Sequence, residues 1–266
     1  MRWLRLAYKV PGAIAATALF AVMTPTVRFL TRRDSGAVLR VGARVCHGWG
    51  RSMCAILSVR REVRGTVPDG GVYLVASNHL SYLDIFVLGS LYPSTFLAKR
   101  EIARWPFFGW VARGAGTLFV DRDQPKDVVR AGREIAERLS AGIPMTIFPE
   151  GRSSPGKDVL PFQPALFEPA ARAAIPCWAV SITYETPGTD ASPARTVCWY
   201  DSENFVVHFK RLVALREIVA TVTFTGPPII SDDRKVLARE LWQKTSASFE
   251  PVRQAEEEGT ASETLV

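Results

Sequence analysis

The chain has 266 residues, 47% hydrophobic and 22% charged, a balance typical of a packed globular protein that excludes a mostly disordered or collagen-like chain. Its four cysteines contain no Cys-x-x-Cys pair, so neither a zinc ribbon nor a disulfide framework is expected. The net charge of +7 is unevenly placed, because residues 1–65 hold twelve Lys and Arg against two acidic residues, while the remainder holds 21 against 24.

The first predicted element is an uncharged segment of eighteen residues, 10–27, flanked by Lys and Arg on both sides. As a helix it would be about 27 Å long, slightly shorter than the roughly 30 Å hydrocarbon core of a membrane. Pro25 is expected to mark the end of this helix. Because basic residues flank both ends equally, the positive-inside rule gives the segment no orientation.

A second helix is predicted over residues 36–58, and its basic residues recur at intervals of three and four, which places them on one face: Arg40, Arg44, His47 and Arg51. A basic stripe on an apolar helix suits the headgroup layer of a membrane, so residues 1–60 are predicted to form a two-helix membrane-associating element. Two alternatives are a helical hairpin packed on the core and a cleaved signal peptide. Nucleic-acid binding is not expected, because long aliphatic runs separate the basic residues.

From residue 61 onward, short apolar runs alternate with amphipathic stretches, which is the pattern of an α/β domain. We predict a single mixed sheet flanked by helices over residues 61–250, followed by a disordered tail at 251–266. Strands are predicted at 72–76, 95–98, 117–120, 145–148, 179–184, 196–200 and 218–224. Helices are predicted at 85–91, 126–139 and 231–249, the last capped by Ser231.

The segment Asn78-His79-Leu80-Ser81-Tyr82-Leu83-Asp84 directly follows a predicted buried strand, the place where ligands bind in open α/β sheets. On one continuous helix, His79 and Asp84 would be about 140° apart and could not touch. They meet if His79 lies in a turn and the helix begins near Ser81. Asp84 would then hold one imidazole nitrogen and leave the other as a general base. The alternative is that Asn78 and Ser81 are turn and cap residues and that His79 has no catalytic role.

Charged residues follow three further predicted strands. Glu150, Gly151 and Arg152 come directly after the fourth strand. They can offer a hydrogen-bond acceptor, backbone N–H groups and a cation to an anionic or hydroxyl-bearing ligand. Lys99 and Arg122 follow the second and third strands and add two more cations at the same kind of position.

Together these segments resemble the four motifs of the glycerolipid acyltransferase superfamily, in particular the bacterial 1-acyl-glycerol-3-phosphate acyltransferases. The first motif, Asn-His-x-Ser-x-x-Asp, is matched in full by residues 78–84, and the second resembles residues 99–122. The third, Phe-Pro-Glu-Gly-Thr-Arg-Ser, is matched by residues 148–151 and then departs, because Arg152-Ser153 stands where Thr-Arg is usual. The fourth is similar to residues 175–181, and the two N-terminal helices resemble the family's membrane-docking element.

The resemblance implies an O-acyltransferase that moves an acyl chain from acyl-CoA or acyl carrier protein to the hydroxyl of a lysolipid. His79 would be the general base, and Asp84 would orient it. Glu150 would position the acceptor hydroxyl, the Gly151 region would stabilise the developing oxyanion, and cations would bind the acceptor's anionic group. The substrate-binding residues that follow from the resemblance are Asn78, Ser81, Lys99, Arg122, Glu150, Gly151 and Arg152.

Such chemistry needs no metal or organic cofactor, and no metal site is predicted, because His47 and His208 lie in the basic stripe and in a distant helix. The expected partners are membrane lipids, the lysolipid acceptor and the acyl donor, without nucleic acid. The expected location is the cytoplasmic face of the inner (plasma) membrane, either peripheral or with one N-terminal transmembrane segment. A different class of protein, a non-catalytic membrane lipid-binding protein, is the alternative, although it would not need His79 and Asp84.

The acceptor headgroup is where the sequence departs from the family pattern. A shift of Arg152 by one residue in a tight loop moves the guanidinium by up to about 3.8 Å at the backbone, which weakens the case for bidentate phosphate binding. Residues 159–163 resemble relatives that acylate lyso-ornithine lipid. Because Lys99 and Arg122 remain for a phosphate, we predict 1-acyl-glycerol-3-phosphate as the acceptor, with lyso-ornithine lipid or another lysolipid as the alternative.

Overall fold

Seven strands form one mixed sheet in the computed structural model, which describes residues 2–30, 35–104, 108–114, 116–121, 124–189, 191–201 and 203–254. In chain order they are β1 (Val59–Arg64), β2 (Leu74–Ser77), β3 (Thr95–Lys99), β4 (Leu118–Val120), β5 (Met145–Ile147), β6 (Cys177–Glu185) and β7 (Ile218–Phe224). Across the sheet the order is β1-β7-β6-β2-β5-β3-β4. All neighbouring strands run parallel except β6 and β7, which are antiparallel. The predicted mixed α/β fold is confirmed.

Helices cover both faces of this sheet. They are α1 (Arg2–Leu30), α2 (Ser35–Leu57), α3 (Leu83–Gly89), α4 (Phe108–Gly114), α5 (Pro125–Ser140), α6 (Glu168–Arg172), α7 (Pro193–Thr196), α8 (Phe205–Ala214) and α9 (Arg234–Ser248). Short 3₁₀ turns lie at Arg100–Arg104 and Pro164–Phe167. Alternate residues of β2 point to opposite faces, so Val75 packs in a core with α1, α2, α3 and α8, while Leu74 and Ala76 pack in a second core with α5, α6 and α9.

The predicted chemical motifs lie at one edge of the sheet. Strands β2, β5, β3 and β4 are adjacent and parallel, so their carboxyl ends reach the same edge. Asn78 follows β2, Phe148 follows β5, Lys99 ends β3 and Asp121 follows β4. The topology therefore gathers segments that are far apart in the sequence at one edge of the sheet, the edge where ligands bind in open α/β sheets.

The strand predicted over residues 196–200 is wrong. Helix α7 ends at Thr196, and the residues after it form a loop. The N–H of Trp199 donates to Leu80 O at 2.8 Å, and the Trp199 ring packs edge-on against Tyr82. The apolar residues that suggested a strand are therefore packed against the first motif instead of pairing in the sheet.

The predicted ends of three segments also differ from the structure. Helix α1 continues through Pro25 to Leu30, and the cap of α9 is Asp233, whose carboxylate accepts two backbone N–H groups, rather than Ser231. The tail predicted to be disordered from residue 251 is ordered at its start, because Val252 is buried and its N–H donates to Gly156 O at 2.8 Å. Residues 255–266 of that tail lie outside the described residues.

Helix α1 is attached to the domain near both of its ends. Lys9 is fully buried, and its ammonium donates to Leu57 O at 3.0 Å and to Leu215 O at 2.9 Å, close to the carboxyl ends of α2 and α8. Near the other end, Thr24 packs so closely on Gly114 of α4 that a Cβ there would lie 2.7 Å from the Thr24 side chain. Helix α1 therefore lies along the protein rather than projecting from it.

The opposite face of α1 is apolar and exposed. Of the fourteen large hydrophobic side chains exposed in the described part of the chain, eight belong to this helix: Trp3, Leu4, Tyr8, Ile14, Leu19, Val22, Met23 and Phe29. Within the described residues, Arg2–Thr26 is the one helical stretch long and apolar enough to cross a membrane, a test that buried core helices and signal sequences also pass. On α2 the side chains of Arg40, Arg44 and Arg51 are exposed, whereas His47 turns inward with Nδ1 at 2.8 Å from Gly89 O.

Candidate active site

His79 and Asp84 are in contact at the carboxyl end of β2. His79 lies in the turn after the strand, and α3 begins at Leu83, so Asp84 reaches back to the imidazole from the first helical turn. The distance from His79 Nδ1 to Asp84 Oδ2 is 2.7 Å, as the predicted turn requires. The His79 side chain is 22% exposed, whereas that of Asp84 is fully buried. Because the carboxylate oxygen accepts, Nδ1 carries the proton and Nε2 is left as the free base.

The Asp84 carboxylate accepts three further hydrogen bonds. The N–H groups of Leu80 and Ser81 donate to Oδ2 at 2.7 and 3.0 Å, and the Tyr184 hydroxyl donates to Oδ1 at 2.6 Å. Both carboxylate oxygens are thus satisfied in a site without solvent access. These bonds fix the orientation in which Asp84 meets the imidazole.

Asn78 and Ser81, predicted to bind substrate, are instead buried framework residues. The Asn78 amide donates to Ile182 O at 3.0 Å and accepts from Ile182 N at 2.8 Å, which joins the motif to β6. Both Asn78 and Ser81 have no exposed surface, and within the described residues the Ser81 hydroxyl has no hydrogen-bond partner. The prediction of substrate contact is therefore corrected for these two residues, because a ligand cannot reach them without opening the turn.

Two segments outside the first motif contact the turn that contains His79. The Phe148 ring stacks on the imidazole with a centroid distance of 4.1 Å and an interplanar angle of 17°. The N–H of Ser154 donates to His79 O at 3.0 Å, and the N–H of Trp199 donates to Leu80 O. The imidazole plane and the backbone around it are therefore held by two separate segments, residues 148–154 and the loop that contains Trp199.

Glu150 is a buried carboxyl beside the turn that holds His79 and Asp84. Its Oε1 accepts the N–H of His79 at 3.2 Å, and Oε2 has no hydrogen-bond partner among the described residues. Burial raises the pKa of Glu150 to about 9, and the hydrogen bond from His79 only partly opposes this shift. At neutral pH the Glu150 carboxyl therefore keeps its proton.

Glu150→Gln is expected to make the stability less sensitive to pH. The unfolded chain loses the Glu150 proton near pH 4.5 and the folded chain only near pH 9, so the free energy of unfolding falls across that range. Gln has no such proton. Between pH 5 and 7, the free energy of unfolding of the variant should therefore fall by roughly 1–3 kcal/mol less than that of the wild type. Thermal unfolding at several pH values measures this, with Glu240→Gln on α9 as the control. Equal pH dependence in the two variants would contradict the raised pKa.

Gly151 and Arg152 form the turn after Glu150. Gly151 has a φ of +87°, which favours glycine, and its N–H donates to Phe148 O at 3.2 Å. That N–H is used inside the turn, and the role of the Gly151 region in stabilising the oxyanion stays a prediction. Arg152 is exposed and lies one residue beyond this turn.

The other two predicted cations follow adjacent strands. Lys99 is the last residue of β3 and pairs with Val120 of β4. Arg122 lies outside the described residues, but the N–H of the preceding Asp121 donates to Asp127 Oδ2 at 2.7 Å. The backbone of both segments is thus fixed at the sheet edge that carries His79.

Two residues of the site were not among those predicted. Phe148 could have been inferred, because an aromatic residue at the end of a buried strand can cover a group beside it. Tyr184 lies 100 residues after Asp84 in the sequence, and no local pattern connects the two.

Comparison with known proteins points to one family. Residues 60–183 match the family model described as Acyltransferase. The 1-acyl-sn-glycerol-3-phosphate acyltransferase of Neisseria meningitidis serogroup B is 35% identical over 204 residues, which cover 74% of this chain and 78% of the relative. The lyso-ornithine lipid O-acyltransferase of Rhodobacter capsulatus is 33% identical over 243 residues, which cover 85% of this chain and 84% of the relative.

The fold is also that of a solved structure. The 1-acyl-sn-glycerophosphate (LPA) acyltransferase PlsC from Thermotoga maritima superposes with a TM-score of 0.67 at 21% sequence identity. The superposition covers 93% of this chain and 95% of that chain, so it includes the N-terminal helices as well as the sheet.

Proposed function

The chain belongs to the acyltransferase family, and on this premise we propose that it acylates the free hydroxyl of 1-acyl-glycerol-3-phosphate to give phosphatidic acid. The acyl donor is acyl-CoA or acyl carrier protein. The observation that carries the proposal is the 2.7 Å contact between His79 Nδ1 and Asp84 Oδ2 at the carboxyl edge of the sheet. A buried carboxylate that orients a partly exposed imidazole is the arrangement that general-base catalysis needs.

The reaction uses this pair in two steps. His79 Nε2 removes the proton from the acceptor hydroxyl as its oxygen forms a bond to the thioester carbonyl carbon. The C–S bond then breaks, and the imidazolium returns the proton to the leaving thiolate. Asp84 stabilises the imidazolium between the two steps, and no metal or organic cofactor takes part.

The acceptor binds between the carboxyl ends of β2, β5 and β3. Glu150 lies next to His79, and the hydrogen bond that its Oε1 accepts from the His79 N–H supports a role in positioning the acceptor hydroxyl. The phosphate is bound by cations at the neighbouring strand ends, namely Lys99, Arg122 and Arg152. Mass spectrometry of products from the purified protein, supplied with several lysolipids and acyl thioesters, tests this assignment. The absence of any acylated lysolipid would contradict it.

Lyso-ornithine lipid is the second candidate acceptor. The lyso-ornithine lipid O-acyltransferase of Rhodobacter capsulatus matches 85% of this chain, whereas the 1-acyl-sn-glycerol-3-phosphate acyltransferase of Neisseria meningitidis matches 74%. The two acceptors predict different effects of removing the Arg152 side chain. Arg152→Ala is expected to raise KM for the phosphate-bearing acceptor about tenfold or more, through loss of a charge-assisted hydrogen bond. For the zwitterionic acceptor, KM should change less than about threefold.

The measurement is KM for both lysolipids with wild type, Arg152→Ala and Arg239→Ala. Arg239 is an exposed arginine on α9, so its loss controls for a change in net charge. Competition between the two lysolipids on the wild-type protein then ranks them. A clear preference for the ornithine lipid would replace 1-acyl-glycerol-3-phosphate as the acceptor.

The protein works at a membrane surface, with α1 and α2 as the contact. The exposed apolar face of α1 and the exposed arginines of α2 support insertion into the headgroup layer of an anionic membrane. Attachment of α1 to the domain through Lys9 and Thr24 supports a helix that lies in this layer rather than one that spans the bilayer. The face concerned is the cytoplasmic face of the inner membrane, where the acyl donors are present.

A further inference from the structure

Tyr184 touches the Asp84 carboxylate from β6, the strand next to β2. It lies on β6, its side chain is fully buried, and its hydroxyl donates to Asp84 Oδ1 at 2.6 Å. His79 and the two backbone N–H groups all use the other oxygen, Oδ2. Within the described residues, the Tyr184 hydroxyl is therefore the group that donates a hydrogen bond to Asp84 Oδ1.

Strand β6 holds the catalytic turn at two points. The backbone of Ile182 holds the Asn78 side chain at the start of the turn, and Tyr184 holds Asp84 at its end. Side chains two residues apart on a strand share a face, and Ile182 and Tyr184 both belong to the core that packs on α3. Both residues pair with β7, and the preceding residues of β6, 177–180, pair with β2, so the sheet holds these two points in place.

We propose that Tyr184 is a positioning residue for the acyl-transfer reaction, which acts through Asp84 to set both the orientation and the basicity of His79. This inference rests on the proposed role of His79 as general base. A hydroxyl that donates to Oδ1 withdraws negative charge from the carboxylate and weakens its attraction for the imidazolium. It also keeps Oδ1 satisfied in a buried site, where a lost partner would let the carboxylate turn away.

The surroundings allow the hydroxyl to act only as a donor. Burial and then the charge of Asp84 raise the pKa of Tyr184 well above its ordinary value, so the proton stays on the hydroxyl. The titratable groups that face Asp84 and Tyr184 are His79 from the turn, Glu150 from the loop after β5, and the buried thiols Cys54 of α2 and Cys198. Burial raises the pKa of Cys198, so this thiol stays neutral at the pH of the assay.

The test is Tyr184→Phe, which removes the hydroxyl and keeps the ring. The chain has three histidines, so the titration of His79 can be followed by NMR of histidine-labelled protein, with assignment from His79→Ala. The His79 midpoint should rise by roughly 0.5–1 pH unit, because the carboxylate holds the imidazolium more strongly. The acid limb of the kcat/KM profile should move in the same direction, and kcat should fall about tenfold at pH 7 with KM little changed.

Tyr92→Phe is the matched control. Tyr92 is also a fully buried tyrosine, and its hydroxyl lies 3.2 Å from Thr146 Oγ1, away from the His79–Asp84 pair. It should lower stability to a similar extent and leave the His79 midpoint unchanged. If Tyr184→Phe gave the midpoint and kcat of Tyr92→Phe, Tyr184 would be a packing residue only, and the proposal would be overturned.

A second variant keeps the test decisive if Tyr184→Phe does not fold. Site-specific 3-fluorotyrosine at position 184 has a more acidic hydroxyl that donates more strongly, so the His79 midpoint should fall instead of rise. A rise or no change would overturn the proposal. Because the NMR titration needs no substrate, its result is separate from the proposed function, whose failure would appear as full activity in His79→Ala.

Discussion

His79→Ala is expected to lower kcat at least about a hundredfold while the protein stays folded, which is the usual loss when a general base is removed. His79 is the imidazole at the carboxyl edge of the sheet, and its contact with Asp84 leaves Nε2 free to accept a proton. The side chain is partly exposed, so its removal leaves no large buried cavity. Initial rates with saturating acyl thioester and lysolipid, together with a thermal unfolding curve, measure both parts of the expectation.

Asp84→Asn should reduce kcat by a similar or larger factor, at least about a hundredfold. The amide keeps the shape of the carboxylate but cannot stabilise an imidazolium, and it favours the wrong tautomer of His79. His47→Gln provides the control, because His47 contacts Gly89 O on α3 and lies outside the catalytic turn. The control should retain activity within about threefold in detergent.

Retention of more than about a tenth of kcat by His79→Ala would mean that another group is the base.

The second large effect is expected on membrane binding. Leu19→Glu/Val22→Glu places two charges on the exposed apolar face of α1, where both side chains are more than 60% exposed. Moving each apolar side chain from water to the boundary between lipid headgroups and acyl chains stabilises membrane binding by about 1.5–3 kcal/mol. Loss of both should weaken partitioning onto anionic vesicles by at least about a hundredfold. Flotation of the full-length protein with vesicles measures the partitioning, and higher salt should weaken the wild-type protein as well.

A matched double variant controls for the added charge. Val129→Glu/Ile230→Glu changes two exposed apolar side chains outside α1 and should not alter flotation. Substitutions are preferable to removal of residues 1–58, because Leu57 and Cys54 of α2 are fully buried in the core and their loss would expose it. Undiminished flotation of the α1 variant would show that this face does not contact the membrane.

The sequence by itself was sufficient to find the family and to predict the contact between His79 and Asp84. Asn78 to Asp84 is a local motif after a hydrophobic strand, and helix geometry shows that His79 reaches Asp84 only if it lies in a turn before the helix. Six of the seven predicted strands formed, because a run of buried apolar residues between turn signals is a local property. The exposed and buried faces of α1 could not be separated in the same way, since both are apolar.

Only the tertiary structure decided which residues support the site and which face a ligand. Asn78 and Ser81 have the residue types of ligand-binding groups, yet both are fully buried, and Asn78 is bonded to Ile182 of β6. The loop at 197–200 has the composition of a strand, and it packs on the turn that holds His79, where Leu80 O accepts the Trp199 N–H. Tyr184 meets Asp84 across 100 residues of chain. Such contacts depend on strand order, and strand order depends on how two cores pack against one sheet, which no local pattern in the sequence records.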